Sequence, residues 1–294
     1  MAAGRDGLDL PSVKLTNDIE TLRAWVGETR SDTDQFMAQP AEFLAKTLDI
    51  DWSPIAGERL FPLWHYLYFL TAEPLSELGR DGHAARGEAL PPIALPRRMW
   101  AGGRFTFHGD LHIGDVVERT STITSVDQKD GRTGPLIFVT SEFKYTVDGE
   151  LVLTEEKDLV YREDPTADST RAISPRRARE PQGWSTTVTP GPVMLFRYSA
   201  LTFNNHRIHY DRAYARDVEN YPGLVVHGPL TATLLSGLAE ERTGKRLKTF
   251  SFRASAPLFD TPFEIDGRET TDGAEVWAST PDGDLAMAAD ATFF

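Results

Sequence analysis

Two histidines three residues apart, His206 and His209, lie in a polar stretch with Asn204, Asn205, Arg207, Tyr210 and Asp211. Downstream, Tyr221-Pro222-Gly223 marks a turn, and the apolar run Leu224-Val225-Val226 leads into His227-Gly228-Pro229. An imidazole titrates near neutral pH and can take or give a proton at a substrate. Proline suits the first turn of a helix, where its missing N–H would be unpaired anyway. A helix beginning here leaves backbone N–H groups free at its positive end, and Gly228 lets a ligand approach the backbone closely. A base beside such an N–H suits proton chemistry next to a carbonyl whose oxygen gains charge.

The elements that must hold these groups can be read from periodicity. Leu230, Leu234, Leu235 and Leu238 fall at helical spacing, so a helix is expected over Pro229 to Arg242, stopped by Gly244. A second apolar helix is expected at about Arg59 to Thr71. Each is followed by one copy of a weak internal repeat. Phe105-Thr106-Phe107 recurs as Phe250-Ser251-Phe252, and Ile113 and Asp115 recur at the same offset as Leu258 and Asp260. Strand-like runs follow both copies. Leu136 to Val147 and Leu151 to Tyr161 flank the hairpin signal Asp148-Gly149, and Ala274 to Thr280 and Leu285 to Phe294 flank Pro281-Asp282-Gly283-Asp284. A helix with an apolar face needs a sheet to bury it, and an open sheet leaves an edge to cover. The expected architecture is α+β, a duplicated module in which an antiparallel sheet wraps a central helix. The modules are placed at residues 1–162 and 186–294, with a polar linker at 163–185. Its Arg171, Arg176, Arg177 and Arg179 read as a solvated basic cluster.

Composition narrows the function. The chain has 294 residues, 40% apolar and 26% charged, as in an ordinary globular protein. It has no cysteine, which excludes disulfides, zinc-thiolate and iron–sulfur sites and a thiol nucleophile. With 31 basic and 44 acidic residues the net charge is −13, which disfavours nucleic acid as a partner. The N-terminus lacks the apolar core of a signal peptide, and the run Phe61 to Leu70 is too short to span a bilayer. A cytosolic protein with no membrane association is expected.

The stretch "HRIHYD" followed by "YPGLVVHGPL", with "PRRMWAGG" at Pro96 to Gly103, resembles the MaoC-like hydratase/dehydratase group of hotdog-fold proteins. The resemblance covers nearly the whole chain, as a double hotdog. Within the group it is nearest the subgroup of type 2 3-hydroxyacyl-thioester dehydratases and of mesaconyl-C4-CoA (3-methylfumaryl-CoA) and itaconyl-CoA hydratases. The group's pattern is Gly-Asp-x-Asn-Pro-x-His, a turn, and an apolar run ending in His-Gly at the central helix. The resemblance puts His209 on the catalytic histidine and Gly228 on the glycine whose N–H polarises the thioester carbonyl. It puts Asn205 on the aspartate position and Arg207 on the asparagine position. Asn cannot act as a base, so His209 is expected to move the proton while Asn205 orients water. Asp211 is expected either to serve as an alternative carboxylate or to orient His209.

The implied reaction is reversible addition of water to a 2-enoyl thioester, with CoA or acyl-carrier protein as the carrier in the substrate and no cofactor. A short branched dicarboxylic acyl-CoA is the favoured substrate, because Arg97 and Arg98 could hold a second carboxylate bidentately. Arg207 is a further substrate contact. His227 is either a substrate contact or a packed histidine, and His206 is expected to be structural. His108 and His112 share no helical face, so no metal site is expected there. The aromatic stripe Trp64, Tyr66, Tyr68 and Phe69 reads as core, with a substrate wall as the other reading. The alternatives are a 3-hydroxyacyl-thioester dehydratase of fatty acid synthesis, a thioesterase, and a non-catalytic acyl-CoA-binding module. A homodimer is expected, because hotdog sheets have edges to pair.

Overall fold

The computed structural model describes residues 14–84, 87, 89–131, 134–164, 176–179 and 183–294. Antiparallel strands organise both halves of the chain. The first half supplies β1 (Thr29–Gln35), β2 (Arg97–Phe107), β3 (Val116–Gly131), β4 (Gly134–Val147) and β5 (Glu150–Arg162). The second supplies β6 (Trp184–Val188), β7 (Leu247–Ala254), β8 (Phe263–Thr270), β9 (Gly273–Ser279) and β10 (Leu285–Phe293). They form one sheet in the order β1-β3-β4-β5-β2-β7-β10-β9-β8-β6. Read outward from the β2–β7 seam, each half repeats the same connectivity, so the sequence repeat is also a repeat in space. Phe105 and Phe250, the first residue of each repeated triplet, face one another across the seam.

Alternation of apolar and polar residues makes these strands, with Leu247, Phe250 and Phe252 of β7 buried and Lys248, Ser251 and Arg253 exposed. Both expected hairpins are present. Asp148 and Gly149, with φ of 50° and 83°, join β4 to β5, as a two-residue hairpin turn requires. At the seam, a side chain on Gly103 would put its Cβ 2.8 Å from the Phe252 ring, so only glycine lets β2 and β7 close. This seam pairs one edge of each half within the chain and leaves β1 and β6 as the outer strands of the sheet.

The remaining helices are α1 (Ile19–Arg23), α2 (Ala38–Thr47), α3 (Pro192–Leu201), α4 (Arg212–Asp217) and α5 (Gly228–Thr243). The helix expected at Pro229 to Arg242 is α5, and Gly244 ends it at φ 66° with its N–H on the Glu240 carbonyl at 2.8 Å. Leu230, Leu235, Leu238 and Ala239 are buried against β7 to β10. Ala274, Ala278, Ala286, Ala289 and Ala291 line the same core, and these small side chains leave room for a helix.

The helix expected over Arg59 to Thr71 does not form. Only a 3₁₀ turn, Trp64–Leu67, is present. Pro62 interrupts the segment, and Leu63 and Phe69 are held at φ 66° and 56°, which no continuous helix permits. Large side chains fill the core instead, among them Phe105, Tyr145, Trp64, Tyr68 and Phe69. Of the aromatic stripe, Trp64, Tyr68 and Phe69 are core and Tyr66 also reaches a cavity wall. The linker lies mostly outside the described residues, as does Arg171. Arg177 pairs with Asp284 and Arg179 with Glu275, and both side chains stay exposed, so these two clustered arginines remain solvated surface groups. Among the described residues no helix is long and apolar enough to cross a membrane.

Candidate active site

The polar stretch after α3 folds irregularly, with a single 3₁₀ turn at Arg207–His209. It is held by the apolar run before α5. The Val225 N–H donates to the Ile208 carbonyl at 3.0 Å, and the Val226 N–H to the Leu258 carbonyl at 2.8 Å. Asp260, from the second repeat copy, accepts the Leu224 N–H at 3.0 Å and pairs with Arg212. The Val225 carbonyl is thereby fixed, and it lies 2.7 Å from His209 Nδ1. A carbonyl can only accept, so Nδ1 carries the proton and Nε2 is left as a base. His209 is buried, and that burial, opposed by the Val225 bond, pushes its pKa down to about 4. Only an unprotonated ring can accept a proton. The kcat/KM of hydration is therefore expected to fall as pH drops through about 4 rather than through the ordinary histidine range, as a pH–rate profile would show.

His227 stacks on His209, with ring centres 3.7 Å apart and planes 20° apart. Its Nε2 lies 2.8 Å from Ser199 Oγ, and it is fully buried. Burial first, then the charges of His209 and His206, push it well below the usual range. His227 is thus a neutral packing partner behind His209 and lies off the cavity wall, so the substrate-contact reading is corrected.

A cavity of about 920 Å³ opens in front of His209, with walls from both halves. Gly228, the first residue of α5, lines it, and its N–H has no acceptor among the described residues. Trp100 packs beside Gly228, at 3.7 Å from where a Cβ would stand. Asn205 also lines the cavity, its carbonyl accepting the Tyr210 hydroxyl at 3.1 Å. In the pattern Gly-Asp-x-Asn-Pro-x-His, however, the aspartate stands five residues before the histidine. That position is Asn204 rather than Asn205, and the asparagine position is His206 rather than Arg207. Asn204 Oδ1 accepts the His206 N–H at 3.0 Å.

Three other expectations are corrected. Arg207 does not line this cavity. It pairs with Asp211 at 2.7 Å, lies over the Tyr214 ring and faces a separate surface depression. Asp211 caps α4 by accepting the Tyr214 N–H at 3.0 Å, so the Val225 carbonyl and not Asp211 orients His209. Arg97 lies on the cavity wall but is bound to Glu219 at 2.6 Å and Asp164 at 3.2 Å, so it is not free for a substrate carboxylate. Arg98 lines the cavity and has no acidic partner among the described residues. His108 bonds Thr154 and His112 faces Asp115.

Sequence reasoning passed over Asp81 and His83. The chain before β2 brings them to the cavity wall, where the His83 ring lies 4.2 Å from that of His206. The His206 ring is in turn 5.4 Å from that of His209. Burial, then the charge on His83, push His206 far below the usual histidine range. Among the described residues, Asp81, His83 and His206 are the one group able to hold a metal ion, with ligand atoms within 4.8 Å of one another. The Asp-x-His triplet Asp81-Gly82-His83 is the sequence signal for this group. Gly82 sits at φ +88°, and a Cβ there would stand 2.0 Å from the Asn205 carbonyl oxygen. Gly82→Ala is expected to cost about 1–3 kcal/mol of stability and to raise KM, as a thermal melt and steady-state kinetics would record.

An antiparallel sheet wrapped on one helix, with a buried histidine and the first residue of that helix lining one cavity, is a hotdog-type arrangement. Comparison with known proteins agrees. A model of the hydroxyacyl-thioester dehydratase type 2 family matches residues 63–260, and the chain belongs to this family of hydro-lyases. It is 46% identical to mesaconyl-C(4)-CoA hydratase of Chloroflexus aurantiacus, over 90% of this chain and 95% of that one. It is 31% identical to the mitochondrial hydroxyacyl-thioester dehydratase type 2 of Schizosaccharomyces pombe, over 72% and 78%. In fold it matches a MaoC-like dehydratase from Phytophthora capsici with a TM-score of 0.65 at 14% identity, covering 94% and 99% of the two chains. A Mycobacterium tuberculosis protein described as a double hotdog matches with a TM-score of 0.52 at 14% identity, covering 92% and 96%.

Proposed function

We propose that this protein reversibly adds water across the C2=C3 bond of a short, branched dicarboxylic enoyl-CoA such as mesaconyl-C4-CoA. The observation that carries the reading is the pairing of His209 Nε2 and the Gly228 N–H at one cavity. The thioester oxygen accepts from the Gly228 N–H, which draws electron density from C3. His209 Nε2 removes a proton from water as its oxygen bonds to C3. The C2=C3 electron pair moves onto the thioester oxygen, and C2 then takes a proton. Asn205, on the same wall, orients the water. No step calls for a cofactor.

The dicarboxylic substrate is supported by the 46% identical relative and by Arg98, a cation on the cavity wall without an acidic partner among the described residues. Arg98→Gln is expected to raise KM for mesaconyl-C4-CoA about ten-fold or more, the loss of one charge-assisted pair, and to leave crotonyl-CoA little changed. The testing experiment is a hydration assay on purified protein with mesaconyl-C4-CoA, itaconyl-CoA and crotonyl-CoA. Loss of enoyl absorbance without free thiol supports the reading. Release of thiol makes the protein a thioesterase, and turnover only on carrier-protein thioesters moves it to fatty acid synthesis. We further propose a cytoplasmic homodimer; light scattering on the purified protein tests the assembly.

A further inference from the structure

We propose that Lys157, on β5, is a specificity-determining residue of this site, an ammonium that receives the free carboxylate of the acyl group from the side opposite Arg98 and turns away longer apolar chains. The inference rests on the dicarboxylic hydration reading above.

The first half has no long helix under its sheet, and the cavity extends into that space. Tyr66, Trp100, Phe143 and Lys157 lie on its wall. Lys157 Nζ stands 4.8 Å from the centre of the Phe143 ring, 5.3 Å from that of Tyr66 and 5.5 Å from that of Trp100. Aromatic faces attract an ammonium without taking up its N–H groups as an oxygen would. They hold the charge in place and leave those donors for another partner. A lysine on a strand ordinarily carries its charge out to bulk water; this side chain is only 28% exposed.

Behind Lys157 lies Glu155, which is fully buried. A buried carboxylate persists only with several donors around it. Oε1 accepts the Tyr66 hydroxyl at 2.8 Å, and Oε2 accepts the Tyr145 hydroxyl at 2.9 Å and lies 3.2 Å from His65 Nε2. Burial alone would raise the Glu155 pKa, but the Lys157 charge and the bonds of His65 and Tyr66 override it and hold the carboxyl well below its usual range. Lys157 Nζ is 3.5 Å from Oε1, so the anion tethers it by charge, while among the described residues its N–H groups have no hydrogen-bond acceptor. Arg97 differs in this respect, because its Nε and a terminal nitrogen are spent on Asp164 and Glu219.

Lys157 is also in the right place. The Trp100 ring is 3.7 Å from where a Gly228 Cβ would stand, and its centre is 5.5 Å from Lys157 Nζ. With the thioester oxygen on the Gly228 N–H, the acyl group lies along this indole. In mesaconyl-C4-CoA the carbon that takes water, C3, also carries the free carboxylate, two bonds beyond the thioester carbon. Along β2 and β5, Arg98 pairs with Tyr161, Trp100 with Leu159 and Gly103 with Lys157, so the two cations flank Trp100 from opposite sides. A carboxylate over the indole meets a guanidinium fork on one side and an ammonium with three donors on the other. A longer apolar chain would strip water from Lys157 and return no hydrogen bond.

The test compares wild type, Lys157→Met, Lys157→Arg and the double variant Glu155→Gln/Lys157→Met in the hydration of mesaconyl-C4-CoA, crotonyl-CoA and hex-2-enoyl-CoA, with thermal melts of each. Lys157→Met is expected to raise KM for mesaconyl-C4-CoA about ten-fold or more, the loss of one charge-assisted pair, and to lower KM for hex-2-enoyl-CoA. Lys157→Arg should keep the wild-type order of preference. The single methionine variant leaves Glu155 buried without its cation, which lowers the melting temperature and itself repels a carboxylate. The double variant removes both charges, so it should melt closer to wild type and still show the raised KM for mesaconyl-C4-CoA. A return of that KM to the wild-type value in the double variant would mean that Lys157 only balances Glu155, and overturns the proposal. An equal loss on all three substrates overturns it too. Wild type that hydrates no enoyl-CoA removes the hydration reading and this proposal with it. Wild type that hydrates crotonyl-CoA but not mesaconyl-C4-CoA removes the dicarboxylic reading and this proposal together. Wild type that prefers mesaconyl-C4-CoA, with methionine variants that keep that preference, removes this proposal alone.

Discussion

His209→Ala is expected to lower kcat for hydration by about 10²–10⁴-fold, the usual contribution of a positioned acid–base group. The size follows from how completely the site commits to this side chain. Nδ1 is tied to the Val225 carbonyl, so Nε2 has one role left. Burial lowers the pKa of the ring to about 4, so at neutral pH it stands in the form able to take a proton. Truncation also removes the face on which His227 stacks, so some loss of stability accompanies the loss of rate. His209→Gln separates the two effects. A glutamine amide can still donate to Val225 but accepts no proton from water, so its kcat should fall as far as that of the alanine variant while the melting temperature stays closer to wild type. Enoyl absorbance, followed with thermal melts of the three proteins, checks both parts. Near-normal turnover in His209→Gln would show that another group removes water's proton.

Gly228→Pro is expected to cost about 10²–10³-fold in kcat, the usual loss on removing one oxyanion donor. A backbone N–H cannot be deleted by an ordinary side-chain change, but proline deletes it. The local geometry accommodates the change. Gly228 is the first residue of α5, where proline is favoured and no intrahelical bond is forfeited. His227 before it has φ −63° and ψ 131°, the extended conformation a following proline demands. Gly228→Ala is the control that keeps the N–H. Its Cβ would meet Trp100 at 3.7 Å, an ordinary contact. The expected pattern is a large fall in kcat for proline, a small one for alanine, and similar affinity of both for free CoA, measured by calorimetry. Equal losses in both variants would mean that space at Gly228, rather than its N–H, is what the reaction needs.

Much of the scaffold is legible in the residues. The leucine spacing before Gly244 specifies α5, Asp148-Gly149 specifies a two-residue hairpin, and the two Phe-x-Phe triplets mark the strands that meet at the seam. These are local signals, set by periodicity and turn chemistry. The absent first-half helix shows their limit. An apolar run of that composition could be helix or buried irregular chain, and Pro62 with two residues at positive φ decides it. His209 and Gly228 are legible because type and position along the chain already imply their chemistry. The partners of charged side chains are not. Whether Arg97, Arg98 or Arg207 is free depends on Glu219, Asp164 and Asp211, and only folding brings the first two to Arg97. Asp81 and His83 escape for the same reason. More than a hundred positions separate them from His206 along the chain, and only the pairing of the two halves makes them neighbours.

The unequal filling of the two halves has a consequence for stoichiometry. Under β7 to β10 a long helix takes the space; under the first half Tyr66, Trp100 and Phe143 stand around a void instead, beside Lys157. Two identical modules meeting at such a seam would carry two equivalent sites related by a twofold axis. Here that symmetry is spent. On the proposed reading one half carries the thioester donor and the base while both halves wall the cavity, so ten strands serve a single turnover centre. However many chains assemble, each should titrate with one equivalent of thioester, and no half-of-sites behaviour can arise inside a chain.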